Sequence, residues 1–99
     1  MPRQTTVRGV LLAAARLIER RGWCQHALAK GPRRCVWGAI RQIATGYPNK
    51  NLNELAYRSR VVLCMAIQHD SATVWNDAPQ RTKAEVLRAL RAAAKGAPR

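Results

Sequence analysis

Between Val61 and Ile67 the chain reads VVLCMAI without a polar break, and at helical pitch such a run presents apolar side chains on every face. It ends a longer stretch, Asn51 to His69, in which Leu52, Leu55, Ala56, Ser59, Val62, Leu63 and Ala66 recur at steps of three and four while Val61, Cys64 and Met65 cover the far side. No face of the second half could rest against water. The stretch therefore predicts a central helix enclosed by the rest of the fold, started by a capping box of Asn51 and Glu54.

Three shorter amphipathic helices are predicted around it. Thr5 or Thr6 caps a first helix to about Arg20, with Val7, Val10, Leu11, Ala14, Leu17 and Ile18 on one face and Gly22 closing it in a left-handed cap. The second runs from Cys35 to Thr45 on Val36, Ala39, Ile40 and Ile43, ends at Gly46, and has Gly38 and Ala39 where a neighbouring helix can approach closely. The last opens on the capping box Thr82-Lys83-Ala84-Glu85, runs to about Lys95, and turns Val86, Leu87, Leu90 and Ala94 inward. Cys24 to Lys30 reads as loop, Gly31-Pro32 as a turn, and Asp70 to Ala78 as an extended connection. The expected fold is all-α: one compact four-helix domain over 1–99 with a short extended segment before the last helix, and frayed basic tails at 1–5 and 96–99.

Ninety-nine residues can bury a core without disulfide or metal support. No apolar run reaches the roughly eighteen residues of a membrane span, and no leader pattern is evident, so a soluble cytoplasmic protein without membrane contact is expected. The three cysteines, none in a Cys-x-x-Cys pair, argue for reduced thiols.

Charge is the outlying property. Eighteen Lys and Arg, fourteen of them Arg, face five Asp and Glu, a net charge of +13. Such an excess favours an anionic partner, nucleic acid (DNA or RNA) first and an acidic protein surface next, although a GC-rich genome enriches Arg whatever the function. Arg33 and Arg34 precede the second helix, where free N–H groups already make the helix end positive, so they need a negative companion. That companion is either a phosphate or an internal carboxylate, Asp70 or Asp77. Arg88, Arg91 and Lys95 project together from the last helix and Arg16 and Arg20 from the first, either to track a phosphate backbone or as plain solvated faces. Trp37 falls off the apolar face of its helix, so it is either covered by another segment or exposed as a partner contact.

Catalytic and metal signatures are weak. Cys24, His26, Cys35, Cys64 and His69 lack zinc-ligand spacing, and no phosphate loop or nucleophile elbow occurs. Cys35, opening a helix, is the thiol whose pKa position could lower. No cofactor, metal or catalytic residue is assigned.

At Gly22-Trp23-Cys24-Gln25, Cys35 with Gly38-Ala39, Trp75-Asn76-Asp77, and Arg81-Thr82 with Glu85-Val86, the chain resembles a family of small domains of unknown function encoded by actinobacteria and their phages and mobile elements. The resemblance covers roughly Arg8 to Ala94. It implies a small cytosolic accessory protein that a phage can encode, with no activity or ligand to carry over. The functional expectation is a non-enzymatic protein that binds nucleic acid through an arginine-rich surface. The alternative is a phage or mobile-element interaction module that docks on a host protein through Trp37 and its apolar neighbours.

Overall fold

The computed structural model describes residues 4–48 and 52–97. Helix α1 spans Val7–Arg21, capped by Thr6, whose hydroxyl accepts the Gly9 N–H at 3.0 Å. It buries Val7, Val10, Leu11, Ala14, Ala15, Leu17 and Ile18 and packs against α2 (Val36–Thr45), α3 (Glu54–Ile67) and α5 (Lys83–Gly96). The centre of the fold is therefore α1 and not the 54–67 segment. Ala14 and Ala15 keep its girth small, so three helices can close on it at once.

α3 corrects the first expectation. Its Ala56, Ser59 and Leu63 are buried, but Tyr57, Val61 and Met65 are 51%, 42% and 74% exposed. One stripe suffices to dock it, and the opposite stripe faces outward. Its cap is Asn53, whose Oδ1 accepts the Ala56 N–H at 2.8 Å while Nδ2 donates to the Ala44 carbonyl at 2.9 Å, joining the start of α3 to the end of α2. Asn51, the cap expected from the sequence, lies outside the described residues.

Two segments expected to be irregular or extended are regular. Ala29–Lys30 (β1) and Arg33–Arg34 (β2) form an antiparallel hairpin, with Gly31 at φ 57° and Pro32 in the turn, as a II′ turn requires at its first central position. Cys24 N–H donates to the Arg34 carbonyl and Arg34 N–H to the Gly22 carbonyl, both at 3.2 Å, so the chain leaving α1 pairs with β2. Asp70 to Ala78 contains a helix, α4 (Ala72–Asn76), capped by Ser71. The described residues thus form a mostly helical domain with five helices and a two-stranded hairpin, not a strictly all-α four-helix one.

Gly22 leaves α1 at φ 105°, ψ 165°, outside the left-handed cap region expected for it and in a region that glycine alone occupies readily. A Cβ there would also lie 2.8 Å from Arg33 Cγ. At the other end Ala97 is buried, and residues 1–3, 98 and 99 of the tails expected to fray lie outside the described residues. Among the described residues no helix is long and apolar enough to cross a membrane.

Candidate nucleic-acid interface

The residues that carry the family resemblance converge. Asn76, fully buried at the end of α4, accepts on Oδ1 from Trp23 Nε1–H at 2.7 Å and from the Val36 N–H at 3.0 Å. Its Nδ2 donates to the Cys24 carbonyl at 3.1 Å and to Asp77 Oδ1 at 3.0 Å. All four hydrogen-bonding positions of the amide are filled. Gln25 Nε2 donates to the carbonyls of Asn76 and Ala78 at 3.0 and 2.9 Å, and the His26 N–H donates to Asp77 Oδ1 at 2.9 Å. Arg81 stacks its guanidinium 4.0 Å from the Trp75 ring centroid, donates to the Trp75 carbonyl at 3.0 Å and pairs with Glu85 at 3.2 Å. This network joins the hairpin segment to the α4–α5 elbow.

The start of α2 belongs to the same network. Cys35 Sγ accepts the Gly38 N–H at 3.2 Å and Asn76 Oδ1 takes that of Val36, so the N–H groups that would hold a phosphate are already engaged. Gly38 is needed because a Cβ would sit 2.1 Å from the Leu28 carbonyl oxygen. What approaches α2 closely there is the hairpin backbone rather than a helix. Burial pushes the Cys35 thiol above its ordinary pKa, opposite to the lowering its helix position could give, and burial does the same to Cys24. Among the described residues no three His, Cys, Asp or Glu side chains converge as a metal ion requires.

Arg34 pairs with neither Asp77 nor Asp70. Its Nη1 donates to the carbonyls of Gly31 at 2.7 Å and Arg33 at 2.9 Å, and its Nε to Gln42 Oε1 at 2.5 Å. Arg34 thus staples the hairpin turn to α2, its companions being carbonyl oxygens and an amide rather than the carboxylate that is one of the two expected. Arg33 is exposed, its stem lying over Gly22, and carries positive charge past the C-terminal end of α1.

The remaining predicted cations stand on α1 and α5, two helices that pack against each other. Glu19 of α1 is bonded from α5 twice, its carbonyl by Lys83 Nζ at 3.3 Å and its carboxylate by Arg91 Nη2 at 2.9 Å. These contacts set the two helices side by side, with Arg16 and Arg20 one turn apart next to Glu19 on α1 and Arg88, Arg91 and Lys95 on α5. All five are exposed. The two helices contain two acidic residues, Glu19 and Glu85, and Glu85 is folded back on Thr82 in a capping box. The hydrogen bond from Arg91 holds the Glu19 carboxyl below the usual glutamate range. Arg91 is thus partly neutralised, and Arg16, Arg20, Arg88 and Lys95 carry the charge of this face.

Trp37 is not a contact residue. It is 7% exposed, covered by the guanidiniums of Arg41 and Arg60 at 5.4 and 5.1 Å from its ring. Arg60 also lies 4.7 Å from the ring of Tyr57, so the apolar surface expected around Trp37 lies instead on the outer side of α3. The sequence did carry that signal, in a run apolar on too many sides for one helix to bury.

The model of a family of unknown function, DUF6197, matches residues 2–96. No curated protein and no solved structure matches the chain.

Proposed function

The chain belongs to that family, and because membership assigns no chemistry, we propose from charge and geometry that the protein binds nucleic acid through phosphate contacts on the α1–α5 face. Arg16, Arg20, Arg88 and Lys95 make the contacts and Arg91 adds to them. The observation that carries the reading is the placement of these cations on two adjoining helices with Glu19 as the carboxylate between them. A duplex or single strand laid along them exchanges condensed counterions for guanidinium and ammonium groups. Contacts of this kind position a backbone without reading bases, so the binding is independent of sequence. The action is by binding and not by catalysis: Cys35 is spent as a helix cap, and His69 Nδ1 accepts the Ser71 N–H at 3.0 Å. A cytoplasmic setting and a phage or mobile-element origin belong to the same proposal.

The test is affinity for random-sequence duplex and single-stranded DNA and RNA across a salt series. Each phosphate neutralised contributes a slope of about −0.9 in log K against log salt for duplex DNA and about −0.7 for single strands. The double variants Arg16→Ala/Arg20→Ala and Arg88→Ala/Lys95→Ala should each lower that slope by about one to two contacts. Salt-independent binding, or slopes that neither pair changes, would rule the interface out.

A further inference from the structure

A second surface adjoins the first and shares Arg88 and Lys95 with it, while its apolar lining is separate. Tyr57, Val61 and Met65 stand at i, i+4 and i+8 of α3, forming an exposed apolar stripe. On the side toward α5 the stripe continues into a groove of about 380 Å³ between Val62, Met65 and Ala66 and the small residues Ala92, Ala93 and Gly96. Toward the start of α1 it continues into a second depression bounded by Val7, Tyr57 and Arg58. A contiguous apolar face of this kind on a soluble domain marks a contact surface. Alanine and glycine along the α5 wall let another backbone come close, and Met65 can adapt its thioether to what enters.

We propose that this face binds an amphipathic helix of another protein, one that presents apolar residues at steps of three and four and acidic residues beside them. Charge selects the occupant. Arg58 borders the stripe on α3, and Arg88 and Lys95 stand one turn to either side of Ala92 on α5. Of the carboxylates, Glu54 opens α3 and Asp70 shares a depression with Arg60, Val61 and Met65 at the other end, so cations outnumber anions along the face. A helix seated along the middle therefore meets cations on both flanks, and carboxylates on its own edges complete the match. A second copy of this chain would bring another +13 to the same contact, and that repulsion disfavours it.

The experiment uses the full chain and two synthetic peptides of equal composition, about four turns long. One has Leu at i, i+3, i+4 and i+7 with Glu on the polar face, and the other has the same residues in an order that scatters the leucines. Fluorescence anisotropy near physiological salt should show the first peptide binding and the scattered one binding at least about tenfold more weakly, with Val61→Ser/Met65→Ser removing the difference. Both substituted side chains are exposed, and unchanged thermal unfolding confirms that the variant is folded. Several results overturn the proposal: no binding of the first peptide, equal binding of both, binding indifferent to the double substitution, or a self-association in sedimentation that the substitution abolishes. Preference of the same face for anionic lipid vesicles over the peptide overturns it as well.

Discussion

Asn76 is the side chain on which the most distant parts of the chain depend. Its amide fills the needs of Trp23, Cys24 and Val36, from 40 to 53 residues away in sequence. Asn76→Ala would leave a buried donor, a part-buried donor and a carbonyl unmet, and the expected loss in urea denaturation is about 2–4 kcal/mol. Gly38→Ala forces a Cβ into the Leu28 carbonyl, and neither backbone can yield without breaking the Cys35-to-Leu28 hydrogen bond at 3.2 Å. The expected cost is about 1–3 kcal/mol by the same measurement. The thiols differ in the same way. Cys24 and Cys35 are buried with raised pKa, whereas Cys64 is partly exposed. In the native protein Cys64 should react first with a thiol reagent, and faster labelling of Cys35 would contradict the packing described. Trp75-Asn76-Asp77 stands out in the sequence as a motif, but its role is not legible there. An asparagine followed by an aspartate reads as surface until the donors it serves, in other elements, are placed beside it.

The helices follow their local signals closely where a cap and a single apolar stripe agree. Thr6, Gly46 and the Thr82–Glu85 box mark their ends as the sequence suggests. α3 is misread because its pattern is apolar on more sides than the fold needs, and periodicity ranks it as most buried when α1, with a narrower stripe and small alanines, takes the centre. The hairpin and α4 are too short for periodicity to detect at all, being held by Arg34, Gln25 and Asn76 rather than by a pattern of their own. The capping box of α5 makes a prediction that belongs to the element. Its carboxylate, held by the Thr82 N–H first and by the Thr82 hydroxyl and Arg81 in addition, sits below the usual glutamate range. A pKa lowered in the folded state gives stability that is present above the unfolded value and is lost as pH falls through the folded one. The urea midpoint should therefore drop on acidification below about pH 4.3, Glu19 contributing in the same direction. Glu85→Gln keeps a side chain that can complete the box but removes the titration, so its midpoint should fall less steeply over that range. Parallel curves would show that the box contributes nothing through its charge.

At the scale of the whole molecule, a chain of net charge +13 folds into a domain of 32 × 28 × 23 Å, with a radius of gyration of 11.7 Å. Unfolding lets the same charges spread through a coil whose radius for about a hundred residues is roughly 30 Å, so repulsion is relieved by unfolding and works against the fold. The screening length decides how much of it is felt. At about 0.01 M salt it is roughly 30 Å, as long as the molecule, and every cation senses the others; at about 0.15 M it is roughly 8 Å, and only neighbours interact. Added salt also weakens the attractive pairs, but Arg91–Glu19 is about half exposed on both sides, and exposed pairs are worth at most about 1 kcal/mol. Two or three such pairs against thirteen uncompensated charges leave repulsion as the larger effect. The melting temperature should therefore rise between about 0.01 and 0.15 M NaCl, by roughly 4–8 °C for each kcal/mol of repulsion relieved. Lys95→Glu, which lowers the net charge by two at an exposed position, should raise the low-salt value and flatten the rise. A polyanion that settles on the α1–α5 face should raise it at low salt too, and Arg88→Ala/Lys95→Ala should blunt that added stabilisation. A melting temperature indifferent to salt would mean that the cations lie far enough apart, or close enough to bound counterions, to leave little repulsion for any anionic partner to relieve.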